Sequence, residues 1–252
     1  MRRFAYPCVA SGIAIAALLG CQPSNSNLPA VSDRPSERAV HDLQPADSAT
    51  VCLSTARRLE QSGYPKEAIA QYERARQFNQ ALPLISRRLA VLYDREGDDA
   101  RAAAEYGKAL DEQPGDPDIL NDEGYFYASR ADWVMAEKYL RAAIAVNPRL
   151  TRAWINLGIA LAGQRRYADS LVAFSTVVTA AAARSNVGLL MAQQGDDVQA
   201  EDMLLQAISL DPTLVPPRMA LDELAARKRS GRTPAGIRSP QIQKPSNAAS
   251  VP

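Results

Sequence analysis

Histidine is almost missing from this chain: His41 is the only one in 252 residues, and cysteine is confined to Cys8, Cys21 and Cys52. Soft ligands are too few for the usual structural zinc spacings, and no histidine stands in the folded region to build a nucleophilic triad. An excess of one charge is missing too. Lys and Arg number 29 against 28 Asp and Glu, a formal net charge of +1 that removes the basic signature of a dedicated nucleic-acid binder. No run reads as a strand, so no glycine-rich phosphate loop follows one. Cys52 has no base beside it in the pattern and reads as a core thiol. The acidic pairs Asp98-Asp99, Asp196-Asp197 and Asp222-Glu223 read as caps or solvated faces at or near helix starts, where carboxylates favour the dipole. The expectation is a chain with no enzyme activity, metal, cofactor or nucleic-acid partner.

What is present begins with an address. Arg2 and Arg3 precede an apolar run, Val9 to Leu19, that is shorter than the roughly 20 residues a spanning helix needs. Residues 1–20 therefore read as a signal peptide. The run ends in Leu18-Leu19-Gly20-Cys21, which resembles the bacterial lipobox. That resemblance implies a diacylated Cys21 as the mature N-terminus, with the membrane reached through its lipid. Gln22 after the cysteine implies transfer to the outer membrane, giving an expected place on its periplasmic face. Cys8 leaves with the signal and lipid consumes Cys21, so only the Cys52 thiol remains and an internal disulfide is excluded. Residues 21–48 hold Pro23, Pro29, Pro35 and Pro45 among polar residues, and read as a disordered tether spanning on the order of 30 Å. Residues 230–252, with four prolines, three basic residues and no acid, read as a disordered tail.

Between tether and tail the chain repeats. Pro114 and Pro148 are 34 residues apart, and units of that period begin at Ala49, Pro83, Pro117, Thr151 and, after a deletion of four, Ala181. The eighth position is always small: Ala56, Ala90, Gly124, Gly158, Gly188. The twentieth is Ala68, Ala102, Ala136, Ser170 and Ala200, and the twenty-fourth is large: Tyr72, Tyr106, Leu140, Phe174 and Leu204. Small residues at the eighth and twentieth positions let two antiparallel helices, A and B, approach, while the large residue fills the space where they diverge. Gly63, Gly97 and Gly195 fall at the A–B turn, where a left-handed cap is expected. Pro114, Pro148 and Pro212 stop helix B. A last helix starts at Pro216-Pro217 and runs to about Arg229, with polar Arg218 and Asp222 on a face that suits a C-terminal cap, because no helix B follows to cover it.

Ala153-Trp154-Ile155-Asn156-Leu157-Gly158, followed by Tyr167 and Phe174, resembles the signature of tetratricopeptide repeat (TPR) proteins. The resemblance implies an all-α solenoid of about five helix-turn-helix units plus a capping helix, over residues 49–229. In that family the inner surface comes from helix A. Carried over, the matching positions imply a peptide-binding groove of Arg87, Arg95, Asn121, Tyr125, Arg152, Ile155 and Ile159, with Leu189 beside them. Guanidinium groups suit carboxylates, and the aromatic and aliphatic groups suit apolar side chains.

The runs Ile119 to Tyr125 and Arg152 to Gly158, followed by a shortened unit, also resemble the TPR lipoprotein of Tad (Flp) pilus assembly systems. This implies a lipid-anchored scaffold in the cell envelope, binding a protein or peptide while an envelope machine such as a Tad-type pilus or secretion system is assembled. The alternative is an accessory subunit that recruits or regulates a cell-wall enzyme.

Overall fold

A computed structural model describes residues 44–79, 82 and 84–230. The signal peptide, Cys21, the tether as far as residue 43 and the segment 231–252 lie outside the described residues. Those described form eleven α-helices and no strand: α1 (Pro45–Gln61), α2 (Pro65–Phe78), α3 (Ile85–Arg95), α4 (Asp99–Glu112), α5 (Pro117–Ala128), α6 (Trp133–Val146), α7 (Thr151–Gly163), α8 (Tyr167–Ser175), α9 (Ala180–Gln193), α10 (Asp197–Leu210) and α11 (Val215–Ser230). Helix α1 starts four residues before the expected unit boundary at Ala49, with Pro45 in its first turn, where a missing N–H costs nothing, and with Ser48 buried.

The chain divides into two compact units, with the boundary between Glu105 and Tyr106 inside α4. In the N-terminal unit α1 packs on α2 and α2 on α3. Ala56, Ala68 and Tyr72 are buried there, as the spacing predicts, and so is Ala75. Its polar groups tie the helices together: the Tyr72 hydroxyl donates to Glu60 at 2.9 Å, Arg88 reaches the same carboxylate at 3.3 Å, and Tyr93 donates to Glu73. Burial and these carboxylates push both phenols up to about 12. Arg76 holds Glu105 through two bonds of 2.7 and 2.9 Å. Cys52 is buried, and burial pushes its thiol up, away from the thiolate a nucleophile needs.

In the C-terminal unit the pairs α5–α6, α7–α8 and α9–α10 are the helical hairpins. The eighth-position glycines show why they must be small. A Cβ on Gly124 would lie 2.6 Å from Leu140 Cγ, one on Gly158 2.8 Å from Phe174, and one on Gly188 2.8 Å from Leu204. Each is the pairing of eighth and twenty-fourth positions within one unit. Ser170, the one hydroxyl at the twentieth position, is satisfied by donating to the Gly158 carbonyl at 2.7 Å.

All five A–B turns place their fifteenth residue at positive φ. Gly63, Gly97 and Gly195 do so as expected, and Ala131 (φ 59°) and Arg165 (φ 61°) complete the series without glycine. Arg165 gains a contact for its strain, donating to Asp196 at 2.7 Å. Helix α8 is nine residues long against 14 in the other B helices of this unit, which is where the four-residue deletion falls. Thr179 then caps α9 through the Ala182 N–H at 3.2 Å.

The acidic pairs separate. Asp98 accepts the Arg101 N–H at 3.0 Å, and Asp196 precedes α10, but Asp222-Glu223 lies in the middle of α11 rather than at a start. Arg218, at the position of Trp154, reproduces its bond. Trp154 Nε1 donates to the Pro148 carbonyl at 2.8 Å, and Arg218 donates to the Pro212 carbonyl.

Candidate binding surface

Helices α5, α7, α9 and α11 are the A helices of successive units in the C-terminal body, and each touches the next. Side-by-side stacking brings equal repeat positions to one face. The expected groove residues Asn121, Tyr125, Arg152, Ile155 and Ile159 all lie on these helices; Arg87, half-buried, and Arg95, exposed, lie on α3 of the N-terminal unit.

Tyr125 is open, at 48% exposure. Ile155, Ile159 and Leu189 are half-covered and rest on the same core cluster, around Phe174, Val187 and Leu190. They form an apolar floor over that cluster. Arg152 is exposed but already engaged, donating to Asp118 at the equivalent place one unit earlier. Its guanidinium reaches a ligand only as part of that ion pair.

Asn121 departs from the expected role. It is 3% exposed; its amide donates to Asp122 at 3.2 Å, and its carbonyl oxygen accepts from Asn156 at 3.0 Å. A buried amide with both ends occupied ties α5 to α7 and has no edge to offer a peptide. The sequence periodicity identifies the face of the helix, and the neighbouring helix decides whether a residue on that face still sees solvent.

The same effect closes α9. Ala182 and Ser185 occupy the positions at which Arg152 and Met219 are exposed, yet both are buried. The Ser185 hydroxyl has no hydrogen-bond partner among the described residues. The face reopens at α11, where Met219 is 65% exposed and Glu223 is exposed beside it. Neither residue was among those expected. The signal that finds them is one more step of 34 from Ala181, which makes Val215 the first residue of a sixth helix A.

A second polar cluster lies inside the α5–α6 pair. Glu123 occupies the seventh position, where Leu89, Leu157 and Val187 stand in other units, and it is buried. Tyr139 donates to it and stacks on Tyr127 with ring centroids 5.5 Å apart. Its other oxygen, Oε2, is buried without a hydrogen-bond partner among the described residues, and burial raises its carboxyl above the ordinary range. Near the A–B turns, Glu137 goes the other way: burial works against its charge, but hydrogen bonds from Gln164, Arg141 and Arg166 hold its carboxyl below the usual range. Among the described residues no group of three or more His, Cys, Asp or Glu is placed to hold a metal, and no helix is long and apolar enough to cross a membrane.

A tetratricopeptide repeat family model matches residues 53–117 and 132–183. Among solved structures, the chain is similar to YrrB, a TPR protein with an unusual peptide-binding site, at 22% identity and a TM-score of 0.57, covering 76% of this chain and 96% of that one. It is similar to PilW, a type IV pilus biogenesis factor, at 17% identity and a TM-score of 0.53, covering 72% and 92%. PilF of Pseudomonas aeruginosa aligns at 18% identity and a TM-score of 0.50, covering 74% and 93%. At these identities the likeness is one of fold. No curated protein matches the sequence.

Proposed function

We propose, from the premise that this chain belongs to the tetratricopeptide repeat family, that it is a lipid-anchored scaffold binding a protein or peptide partner while a bacterial envelope machine such as a Tad-type pilus or secretion system is assembled. The observation that carries the scaffold reading is the open face of the A helices. Tyr125 and Met219 stand exposed at either end of the half-covered Ile155, Ile159 and Leu189. An apolar floor with aromatic and thioether anchors suits apolar side chains of an extended or helical segment, and such anchors carry most of an interface's energy.

The envelope setting comes from Arg2, Arg3, the Val9–Leu19 run and the Gly20-Cys21 junction, which together favour a lipid on Cys21 and a place on the periplasmic face of the outer membrane. The pilus assignment comes from the Ile119–Tyr125 and Arg152–Gly158 runs. That one protein of the same fold is a type IV pilus biogenesis factor fits it.

The test is cross-linking in cells followed by capture of the full lipoprotein, beside a Tyr125→Ser, Met219→Ser variant. Both side chains are exposed, so the variant keeps its helical circular dichroism. Recovery of one pilus or secretion component by the native chain, and its loss from the variant, supports the reading. Recovery of the same component by both moves the binding surface elsewhere; recovery of no envelope assembly component by either removes the pilus assignment.

A further inference from the structure

The A-helix face of the N-terminal unit differs in kind from the apolar face of the C-terminal one. On α1 and α3 its repeat positions carry Arg57, Arg87, Arg88 and Arg95 against Glu60 and Asp94. Residues 44–105 as a whole hold nine basic and nine acidic residues, so the excess of positive charge belongs to this face rather than to the unit. We infer that this face docks an acidic segment of a protein partner, one whose carboxylates recur about every third residue along an extended chain. The inference rests on the scaffold reading for there being a protein partner, and not on the apolar face.

The bond from Arg88 to Glu60 at 3.3 Å joins α3 to α1 and brings their faces together. Glu60 accepts the Tyr72 hydroxyl on its other oxygen, at 2.9 Å. The Tyr72 phenol is pushed up to about 12 by burial and by Glu60, and Arg88 and Arg57 act on it in the opposite sense, which sets Arg57 near the same carboxylate. One carboxylate thus lies among two guanidinium groups and balances only one of them. The side chains of Arg57 and Arg95 are exposed and make no ion pair or hydrogen bond among the described residues. The Arg88 side chain is 57% exposed and gives Glu60 a single bond, so other donors of its guanidinium remain for a ligand.

Spacing selects the form of the segment. Arg88 and Arg95 are two turns of α3 apart, which sets them about 10 Å from each other along one side of the helix. A chain of the polyproline type advances about 9 Å in one turn and returns to the same side, so carboxylates at that interval meet both. Arg57, on the neighbouring A helix, takes a carboxylate from the other flank. Val91 lies between Arg88 and Arg95, and Leu53 lies one turn before Arg57. Both are half-covered and offer apolar ground between the charges. Glu60 and Asp94 on the same face repel a continuous anionic surface such as a membrane, whereas discrete carboxylates fit between them.

The test titrates the full chain with a peptide of repeated Glu-Val-Pro and with its Gln-Val-Pro counterpart, by calorimetry. The native chain is expected to bind the glutamate peptide about ten-fold more tightly than the glutamine one. An Arg57→Ser, Arg95→Ser variant breaks no internal ion pair, keeps its helical circular dichroism and is expected to lose that preference. An Arg58→Ser, Arg149→Ser variant removes the same charge from two other arginines, exposed and unpaired among the described residues, and is expected to keep it. Equal affinity for the two peptides, or the same loss in both variants, overturns the inference. Equal peptide affinities with retention of phosphatidylglycerol vesicles by the native chain, and not by the Arg57→Ser, Arg95→Ser variant, assign the face to an anionic membrane instead. A glutamate preference without capture of an envelope component leaves the docking surface standing and the pilus assignment failing, and capture without the preference does the reverse.

Discussion

The Asn156 side chain donates to Asn121 across 3.0 Å, joining the A helices of the third and fourth units through a pair of amides, one of which is sealed from solvent. The bond lies on the face where a ligand was expected to meet Asn121. It makes Asn121 a joint of the array rather than a contact for a partner, because both ends of its amide are already used.

Asn121→Ala is therefore expected to lower stability by about 1–3 kcal/mol, since it leaves the Asn156 donor without its acceptor. Thermal unfolding measures this. Tyr125→Ser, a change at an exposed side chain, is expected to leave the midpoint nearly unchanged while reducing partner capture. A Tyr125 variant as unstable as the Asn121 variant would contradict the assignment of the two residues to different roles.

One substitution, Gly→Ala, should act with opposite signs at two helical sites. At Gly107 in α4 a Cβ meets nothing within 4 Å, so alanine is expected to stabilise by up to about 1 kcal/mol through propensity. At Gly124 the same Cβ falls 2.6 Å from Leu140 Cγ and 3.3 Å from its backbone nitrogen. Overpacking of that kind costs about 1–3 kcal/mol and outweighs the propensity gain. Chemical denaturation of the two variants separates these cases, and a stabilised Gly124→Ala would show that α5 and α6 have room to spread.

Ala131 holds φ at 59° in the A–B turn where Gly63, Gly97 and Gly195 stand in other units. Ala131→Gly is expected to raise stability by about 1 kcal/mol, the left-handed strain outweighing the added freedom of the unfolded chain. Arg165→Gly relieves similar strain but loses the bond to Asp196 and is expected to be nearly neutral, an exposed ion pair being worth about 0–1 kcal/mol. Paired melting curves decide, and a larger gain at Arg165 than at Ala131 would refute the account.

Glu123 has a carboxyl whose folded-state pKa is raised, so the native protein prefers it protonated. Its contribution is most favourable below the unfolded carboxyl pKa and declines as pH rises through the raised folded value. Glu123→Gln, which keeps an acceptor for Tyr139, is expected to be more stable than the native chain at neutral pH. That advantage should shrink as pH falls through the raised folded value towards about 4.5, the ordinary glutamic acid range. Measuring the midpoint difference across pH tests it, and a difference independent of pH would show that Glu123 titrates normally.

Much of this was legible along the chain. The 34-residue spacing, the small eighth and twentieth positions and the large twenty-fourth located the close approaches within α5–α6, α7–α8 and α9–α10, since one residue type at each place satisfies one distance. The candidate surface was legible only in part. Tyr125, Ile155 and Ile159 follow from repeat position, and Met219 and Glu223 were available to one further step of the same period. Asn121 and Ser185 share that face in the sequence but are buried, and the pairing of Arg152 with Asp118 depends on side-chain reach between units.

The sequence by itself determined the helices, their pairing and the places where backbones must nearly touch, because those are short-range matters of period, residue volume and permitted φ. The tertiary structure alone decided which residues of the A-helix face remain open. Exposure depends on how closely the neighbouring helices close over each side chain, so equal positions in the repeat end with Met219 in solvent and Ser185 sealed from it.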